Sequence, residues 1–356
     1  MNELLSSGPI KSSSKIEVDP TSAPNCSSAV AWRIPALDAA RFLAAVGVIW
    51  IHVPRSEALL PTSILGRFAV PFFAATAIFF VVRGVGKRPT QSLEEFTRDK
   101  LRRLYLPFLV WSGLYLLFKL AKAALLPHEA NEFPGLEVLW QGGAYHLWFI
   151  PFLIATSIGM FVIAKLALPW IHAHHGYDGR CYMAALAVGV LVALIQPPVI
   201  ANSTTTSSLS YMWEALPAVC WGFGLAIRPT PSAAQVGPSS RKVICVSWLF
   251  LVTMALLCLT GRNALLENYA GMLLLLASLE LRSGRLLQWL AKLGPFALGI
   301  YFSHLMLLKV GESLAAKLGL SVTWQLDIAL FASVLVGSLA VVISLVRCRA
   351  TRWLVA

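Results

Sequence analysis

Apolar stretches of membrane-spanning length recur along this sequence from Ile34 onward, and they constrain its fold more than any other feature. An α-helix needs about 20 apolar residues to cross a hydrocarbon core of roughly 30 Å. The hydrophobic share of 57% fits many such spans. We therefore predict an all-α, polytopic membrane helical bundle of about ten transmembrane helices. The predicted spans are 34–53, 62–82, 104–125, 147–168, 182–200, 211–228, 243–260, 264–280, 293–310 and 326–346.

Lysine and arginine are distributed unevenly between the two sides that these spans define. With the N-terminus in the cytoplasm, 21 of the 29 lie on the cytoplasmic side, seven lie on the opposite side, and Arg41 lies within the first span. Cytoplasmic loops of membrane proteins are enriched in Lys and Arg. This distribution and an even number of spans predict that both termini are cytoplasmic. The net charge of +12 then reflects orientation signals, so nucleic acid is not an expected partner.

The sequence divides into three segments. Residues 1–33 are rich in Ser, Pro, Lys and Asn and contain no signal-peptide core, which predicts a disordered cytoplasmic tail. Residues 34–346 form the membrane domain, and 347–356 form a short basic cytoplasmic tail.

The cysteines lie far apart with no CxxC pair, and the histidines of 171–180 lack a cysteine partner. We therefore expect neither a disulfide framework nor a metal site.

Three ionisable side chains lie in the first predicted span, where each is a functional candidate because burying a charge in a bilayer is costly. Asp38 and Arg41 are three residues apart on one helical face, which also fits a salt bridge at the inner rim. His52 follows Arg41 by eleven residues, or about 16 Å of helix, in the outer half of the membrane. Alternatively, His52 is an interfacial residue that ends its helix before Pro54.

A basic run, FTRDKLRRLYLPFLVW, leads into the third span and contains Lys100 and Arg103. Such a run is typical of a positive-inside anchor. Cations at the cytoplasmic mouth of a bundle also suit a phosphorylated ligand, because they donate charge-assisted hydrogen bonds to phosphate oxygens. The residues alone leave both interpretations open.

Two further segments place histidines within or at the rim of the membrane. YHLWFIPFLI puts His146 and Trp148 near the outer end of the fourth span, where aromatic belt residues are also common. LGPFALGIYFSHLMLL puts Tyr301 and His304 three residues apart on one face of the ninth span. An intramembrane histidine beside a tyrosine is a candidate for proton transfer.

Together these segments resemble the acyltransferase family 3 proteins, which are multi-pass membrane O-acyltransferases that modify bacterial surface glycans. Lys100 stands where the family has the first arginine of an R-x-x-R pair. The resemblance covers about residues 34–346. Its motifs, in order, are R-x10-H from Arg41 to His52, R-L-x-x-P from Arg103 to Pro107, HLWF from His146 to Phe149 and I-Y-x-x-H from Ile300 to His304.

The resemblance implies an acyl-CoA-dependent O-acetyltransferase of the bacterial cytoplasmic (inner) membrane that acts in exopolysaccharide biosynthesis. Acyl-CoA, most often acetyl-CoA, would be a donor substrate and not a permanently bound cofactor, with its phosphates held by Arg41, Lys100 and Arg103. The acceptor would be a sugar hydroxyl of a lipid-linked oligosaccharide or polysaccharide, bound with help from the outer loops 126–146 and 197–212. Polysaccharide assembly proteins are further expected partners.

The resemblance also implies roles for the buried side chains. His52 would take the proton of the attacking hydroxyl or carry the acyl group itself, and the sequence leaves both mechanisms open. His304 would be a second acid or base, and Asp38 would support Arg41. The implied substrate-binding residues are His146, Trp148 and Tyr301.

Two other functions are also compatible with a protein that has many membrane spans and charged residues within them. A transporter or flippase for a glycan or small solute would show inverted repeats with interrupted helices in matching positions, and the sequence has no visible symmetry of this kind. A non-enzymatic sensor or assembly partner in a polysaccharide export complex would tolerate replacement of His52.

Overall fold

The structure, a computed structural model, describes residues 33–125, 135–174, 179–195, 208–228, 240–281 and 284–355. Nearly all of the predicted N-terminal tail lies outside these ranges, as do 126–134 and 197–207 of the two predicted outer loops. His175 and the side chains of His172 and His174 also lie outside the described part. The described helices belong to one compact unit, Ile34–Ala356.

All regular structure in the described residues is helical, which confirms the predicted all-α class. Short 3-10 turns and one π-helical turn, Leu101–Tyr105, connect some of the α-helices. The α-helices are α1 Pro35–His52, α2 Ala69–Lys87, α3 Leu93–Lys100, α4 Leu106–Leu125, α5 Val138–Gln141, α6 Phe149–His174, α7 Gly179–Ile195, α8 Ser208–Glu214, α9 Leu216–Ile227, α10 Ser240–Thr260, α11 Ala264–Glu280, α12 Arg285–Ala291, α13 Ala297–Lys317 and α14 Trp324–Arg347.

Seven helical segments of the described chain are long and apolar enough to cross a membrane, so the protein is a multi-pass membrane protein. A shorter apolar helix, α7, overlaps another predicted span in sequence. The shorter helices α9 and α11 also fall on predicted spans, and the total of ten spans stays a prediction. The seven segments of membrane-spanning length are Pro35–His52, Leu60–Lys87, Leu93–Ala124, Tyr145–Ile171, Arg241–Thr260, Arg285–Lys317 and Trp324–Arg347.

Helix α2 lies at the centre of the bundle, against α1, α6, α9 and α11. Small residues allow these close contacts, as is common between membrane helices. A Cβ atom on Gly222 of α9 would collide with the backbone of Ala75, and one on Gly271 of α11 would collide with the backbone of Phe72. The glycines therefore fix how near α9 and α11 come to α2.

The helical run of α8 and α9 is interrupted at Ala215, and a side chain from α11 repairs its hydrogen bonding. The Asn268 Oδ1 atom accepts a hydrogen bond from the Ala218 N–H at 3.2 Å, and Asn268 Nδ2 donates to the Glu214 carbonyl at 2.7 Å. These two backbone groups are four residues apart, so the amide takes the place of one helical hydrogen bond. Pro217, which lacks an N–H, is accommodated in the same turn.

The segment before α6 does not simply cross the outer rim, as a loop over 126–146 would. Its described part runs back along α4, with Gly143 against the backbone of Ser112 and with the Tyr105 hydroxyl donating to the Leu139 carbonyl at 3.1 Å. Ser112 lies 13 residues before the end of α4, or roughly 20 Å along its axis. Gly142 has a positive φ of 86°, which makes the turn possible. This path carries His146 into the bundle.

The C-terminal segment after α14 also contacts the bundle. Residues 348–355 were predicted as part of a short basic tail, and Leu354 and Val355 in this segment are buried. The Trp111 indole N–H donates to the Leu354 carbonyl at 3.3 Å, which joins this segment to α4.

Replacing Asn268 with leucine is expected to destabilise the bundle strongly. Leucine has a similar volume but leaves the Glu214 carbonyl and the Ala218 N–H without a partner, at a cost of about 2–6 kcal/mol for two buried groups. The measurement is the Tm of the detergent-solubilised protein. The matched control, Asn263→Ala, removes an exposed N-cap of the same helix at a cost of about 1 kcal/mol. Equal Tm shifts in the two variants would show that the amide bridge has no special role.

Candidate active site

Three histidines from separate parts of the chain converge inside the bundle. His52 ends α1, His146 lies in the turn before α6, and His304 lies in α13. The ring centroids of His52 and His304 are 5.4 Å apart in a stacked arrangement, and those of His146 and His304 are 4.9 Å apart. His52 and His146 are separated by 6.4 Å. The structure thus brings together the three histidines that the sequence singled out.

The backbone of α13 determines the tautomer of His304. Its Nδ1 atom lies 2.7 Å from the Tyr301 carbonyl and 3.1 Å from the Ile300 carbonyl. Carbonyl oxygens only accept hydrogen bonds, so Nδ1 carries the proton and the neutral ring keeps a lone pair on Nε2. That Nε2 atom is buried and has no hydrogen-bond partner among the described residues. It is therefore a proton acceptor fixed within the cluster.

A tyrosine beside His146 orients the ring of His52. The Tyr145 hydroxyl lies 2.9 Å from His52 Nδ1, and the two rings meet edge to face at a centroid distance of 5.4 Å. When Nδ1–H donates to the hydroxyl oxygen, His52 Nε2 holds the lone pair and can take a proton. Sequence reasoning missed Tyr145, although it is the residue immediately before the HLWF motif.

His146 is held by its backbone more than by its ring. The Tyr301 hydroxyl donates to the His146 carbonyl, so the tyrosine predicted to bind substrate fixes this turn against α13. Both ring nitrogens of His146 are buried without a hydrogen-bond partner in the described part of the chain. An unpaired buried polar group is costly, which marks His146 as a functional candidate.

A side chain from α4 is inserted into α13 next to His304. The Tyr115 hydroxyl donates to the Phe302 carbonyl at 2.9 Å and accepts from the Met306 N–H at 3.1 Å. These groups are also four residues apart, so Tyr115 bridges one turn of α13 around His304. Insertion of a side chain into the helical ladder is a recognised cause of local helix distortion. The register of His304 therefore depends on α4.

A buried carboxylate fixes the chain just after His52. Asp327, near the start of α14, accepts hydrogen bonds from the Arg55 N–H at 3.1 Å, the Ser56 N–H at 3.0 Å and the Ser56 hydroxyl at 2.6 Å. Arg55 also forms an ion pair with Glu312 of α13 at 2.7 Å. These contacts hold the end of α1 against α13 and α14.

His52 and His146 line a cavity of about 300 Å³. One wall is aromatic: Trp148 and Tyr211 stack with a centroid distance of 5.8 Å, and Tyr301 lies nearby. His304 is not among the described residues that line this cavity, but its ring contacts His52, His146 and Tyr301, which do line it. Trp148 and Tyr301 line it, which is compatible with their predicted roles.

The cavity also has charged lining residues next to its aromatic wall, and none of them is among the site residues predicted from the sequence. Arg262 Nη2 lies 2.6 Å from Glu214 Oε2, and Arg67 Nε lies 3.9 Å from Glu267 Oε1. All four side chains line the cavity. The available signal was the pair of glutamates within predicted apolar spans, since intramembrane carboxylates need partners. Sequence reasoning placed the two arginines on the outer side of the membrane.

The predicted donor-binding residues lie apart from this cavity. Arg41 Nη1 lies 3.4 Å from Asp38 Oδ1, which confirms the contact expected from their spacing. The Lys100 ammonium lies 5.3 Å from the centroid of the Phe96 ring, and Arg103 is an exposed residue of the π-helical turn. No hydrogen bond or ion pair in the described residues joins these three cations to the histidines. Within the same ranges, no cluster of His, Cys, Asp or Glu is arranged to hold a metal ion.

Membrane-spanning helices around a histidine-lined cavity define an integral membrane protein with a polar site inside its bundle. The sequence matches the acyltransferase domain of acyltransferase family 3 (Acyl_transf_3) over residues 34–347. The chain therefore belongs to this family, as its motifs predicted. No curated protein and no solved structure matches it.

Replacing Tyr145 with phenylalanine is expected to slow acyl transfer about tenfold, the equivalent of one hydrogen bond worth ~1.4 kcal/mol. The ring contact with His52 remains, but the partner of Nδ1 is lost. The measurement is kcat of the purified protein. Tyr105→Phe is the matched control, because it removes a hydroxyl that bonds the same segment at Leu139 without touching His52. An unchanged kcat in Tyr145→Phe would contradict a positioning role.

Proposed function

We propose that this membrane acyltransferase moves an acyl group, most often acetyl, from cytoplasmic acyl-CoA to a sugar hydroxyl of an exopolysaccharide or other surface glycan. The observation that carries the proposal is the position of His52. It lines a cavity together with aromatic and polar side chains, in a chain whose family transfers acyl groups. Family membership also favours this activity over the transporter interpretation. The expected location is the bacterial cytoplasmic membrane, with polysaccharide assembly proteins as neighbours.

His52 acts as the general base in this proposal. The acceptor hydroxyl oxygen attacks the thioester carbonyl carbon, and its proton passes to His52 Nε2. The bond from the carbonyl carbon to sulfur breaks, and CoA leaves as a thiolate that is then protonated. The Tyr145 hydroxyl accepts a hydrogen bond from Nδ1–H and so supports the imidazolium as it forms.

His304 supports this chemistry from within the cluster. Its ring stacks on His52 at a centroid distance of 5.4 Å, and its Nε2 atom has no hydrogen-bond partner among the described residues and holds a lone pair that can accept a proton. His304 and His146 are buried and His52 is half-buried, so the cluster is largely shielded from water. Electrostatic effects are stronger in such low-dielectric surroundings than in water. His304 thus has the second acid or base role in the proposal.

The donor approaches from the cytoplasmic side. Arg41, Lys100 and Arg103 are proposed to hold the CoA phosphates, because Arg and Lys bind phosphate oxygens through charge-assisted hydrogen bonds. The adjacent π-helical turn at Leu101–Tyr105 supports this assignment, since such turns often occur at functional sites. The pantetheine arm then extends between the helices towards His52.

Replacing His52 is expected to abolish acylation in cells. A deletion strain would be complemented with wild type, His52→Ala or His52→Gln, and ester content of the extracellular glycan would be measured by proton NMR before and after mild alkali. Loss of a general base lowers the rate about 10²–10⁴-fold, so both variants should leave the glycan unesterified. Membrane levels and Tm serve as controls for folding. Restored esters in His52→Gln would contradict the proposal.

Replacing Arg103 with alanine is expected to raise KM for acetyl-CoA about tenfold, the loss of one charge-assisted contact, with kcat little changed. The measurement is initial-rate kinetics of the purified protein at varied donor concentration. Arg349→Ala is the matched control, because it removes one exposed positive charge after α14, on the side predicted to be cytoplasmic. The donor assignment is wrong if the two variants have the same KM for acetyl-CoA.

A further inference from the structure

The cavity beside His52 contains two ionic pairs whose charges cancel. Arg262 pairs with Glu214, and Arg67 lies near Glu267, so the described charged side chains that line it sum to zero. Each arginine thus already has a carboxylate beside it. An anionic group entering this space would have to compete with a glutamate, and a cationic group would have to compete with an arginine.

Each ionic pair leaves hydrogen-bonding capacity unused. Glu214 Oε1, Glu267 Oε1 and Arg262 Nε are buried and have no hydrogen-bond partner among the described residues. Glu267 is only 7% exposed, and it lines the cavity. Carboxylate oxygens accept hydrogen bonds, and the arginine Nε–H donates one. A hydroxyl group both donates and accepts, so a ligand hydroxyl that comes within reach of one of these groups satisfies it.

The positions of these atoms are fixed by the surrounding structure. Asn268 holds the Glu214 backbone, and the Arg262 guanidinium lies 5.2 Å from the centroid of the Tyr211 ring. Tyr211 stacks in turn on Trp148. The polar atoms therefore lie beside an aromatic wall, an arrangement typical of pockets that combine an apolar surface with a few placed polar groups.

We propose that Glu214, Glu267 and Arg262 form the acceptor subsite, and that this subsite selects an uncharged sugar ring over one bearing a carboxylate, phosphate or free amine. The ring lies against the wall formed by Trp148 and Tyr211. Two of its hydroxyls donate to Glu214 Oε1 and Glu267 Oε1, and a third hydroxyl extends to His52 for acylation. This inference rests on the proposed function and names its acceptor class.

The first test locates the ester in the product. Purified protein in nanodiscs would receive radiolabelled acetyl-CoA and the alkali-treated extracellular glycan of the deletion strain. Two-dimensional proton–carbon NMR of the intact product identifies the esterified ring by the downfield shift at its acylated position. We expect the ester on an uncharged sugar. An ester on a uronic acid, a phosphorylated sugar or a sugar with a free amine overturns the inference while leaving the proposed function intact.

The second test separates acceptor binding from donor binding. Glu267→Gln and Glu214→Gln are expected to raise KM for the same glycan at least tenfold and to change KM for acetyl-CoA less than twofold. A site that recognises a substrate through hydrogen bonds to its hydroxyl groups discriminates less well between substrates when the side chains that make those hydrogen bonds are replaced. Glu280→Gln is the matched control, because it breaks an Arg–Glu pair of 2.5 Å, with Arg228, at the other end of α11 and outside the cavity.

The outcomes of the second test are distinct. An unchanged glycan KM, or equal changes in both KM values, overturns the subsite. If the wild type transfers no label to any glycan, the proposed function fails and the inference fails with it. If a glutamine variant does not fold, as judged by its Tm, the position of the ester in the wild-type product still decides.

Discussion

A backbone group that loses its helical partner inside a hydrocarbon slab must find another partner within the protein. Two side chains meet this requirement here, and both do so beside the candidate active site. Tyr115 bridges Phe302 and Met306 in α13, and Asn268 bridges Glu214 and Ala218 between α8 and α9. The same contacts that satisfy the backbone therefore set the positions of His304 and Glu214. Stability of the bundle and geometry of the site depend on the same hydrogen bonds.

Two histidines of the cluster are held in different ways. His304 is held by its own helix, with its tautomer determined by two carbonyl groups. His52 lies at the end of α1, where Asp327 fixes the following loop and Tyr145 contacts the ring. A reacting group benefits from such a support, because small errors in its position are costly in rate. The chain thus uses α1, α14 and the segment before α6 to place one imidazole at the cavity wall.

Much of the fold was predictable because it depends on local sequence. The length of the apolar stretches predicts membrane helices, and the i,i+3 spacing predicts the contact between Asp38 and Arg41. The motifs also identified His52, His146 and His304, since ionisable residues are conspicuous within apolar spans. The family match over 34–347 agrees with this interpretation.

The rest of the site depends on contacts between residues far apart in sequence. Tyr145 and Asn268 have no distinctive local pattern, and their roles follow only from how the segment before α6 and helix α11 pack. The path of 135–148 along α4 requires the close approach at Gly143, which spacing alone does not predict. The Arg–Glu pairs of the cavity likewise join residues that are about 50 or 200 positions apart, so a scan for local pairs misses them.

The central claim is that His52 performs the chemical step and does not merely support the fold. The most direct test compares wild type and His52→Gln in nanodiscs, first by calorimetric binding of acetyl-CoA and then by single-turnover transfer of radiolabel to the alkali-treated glycan. The account predicts equal Kd values for acetyl-CoA and transfer at least about 100-fold slower in the variant. Equal transfer rates would contradict it, as would a loss of donor binding large enough to account for the whole decrease.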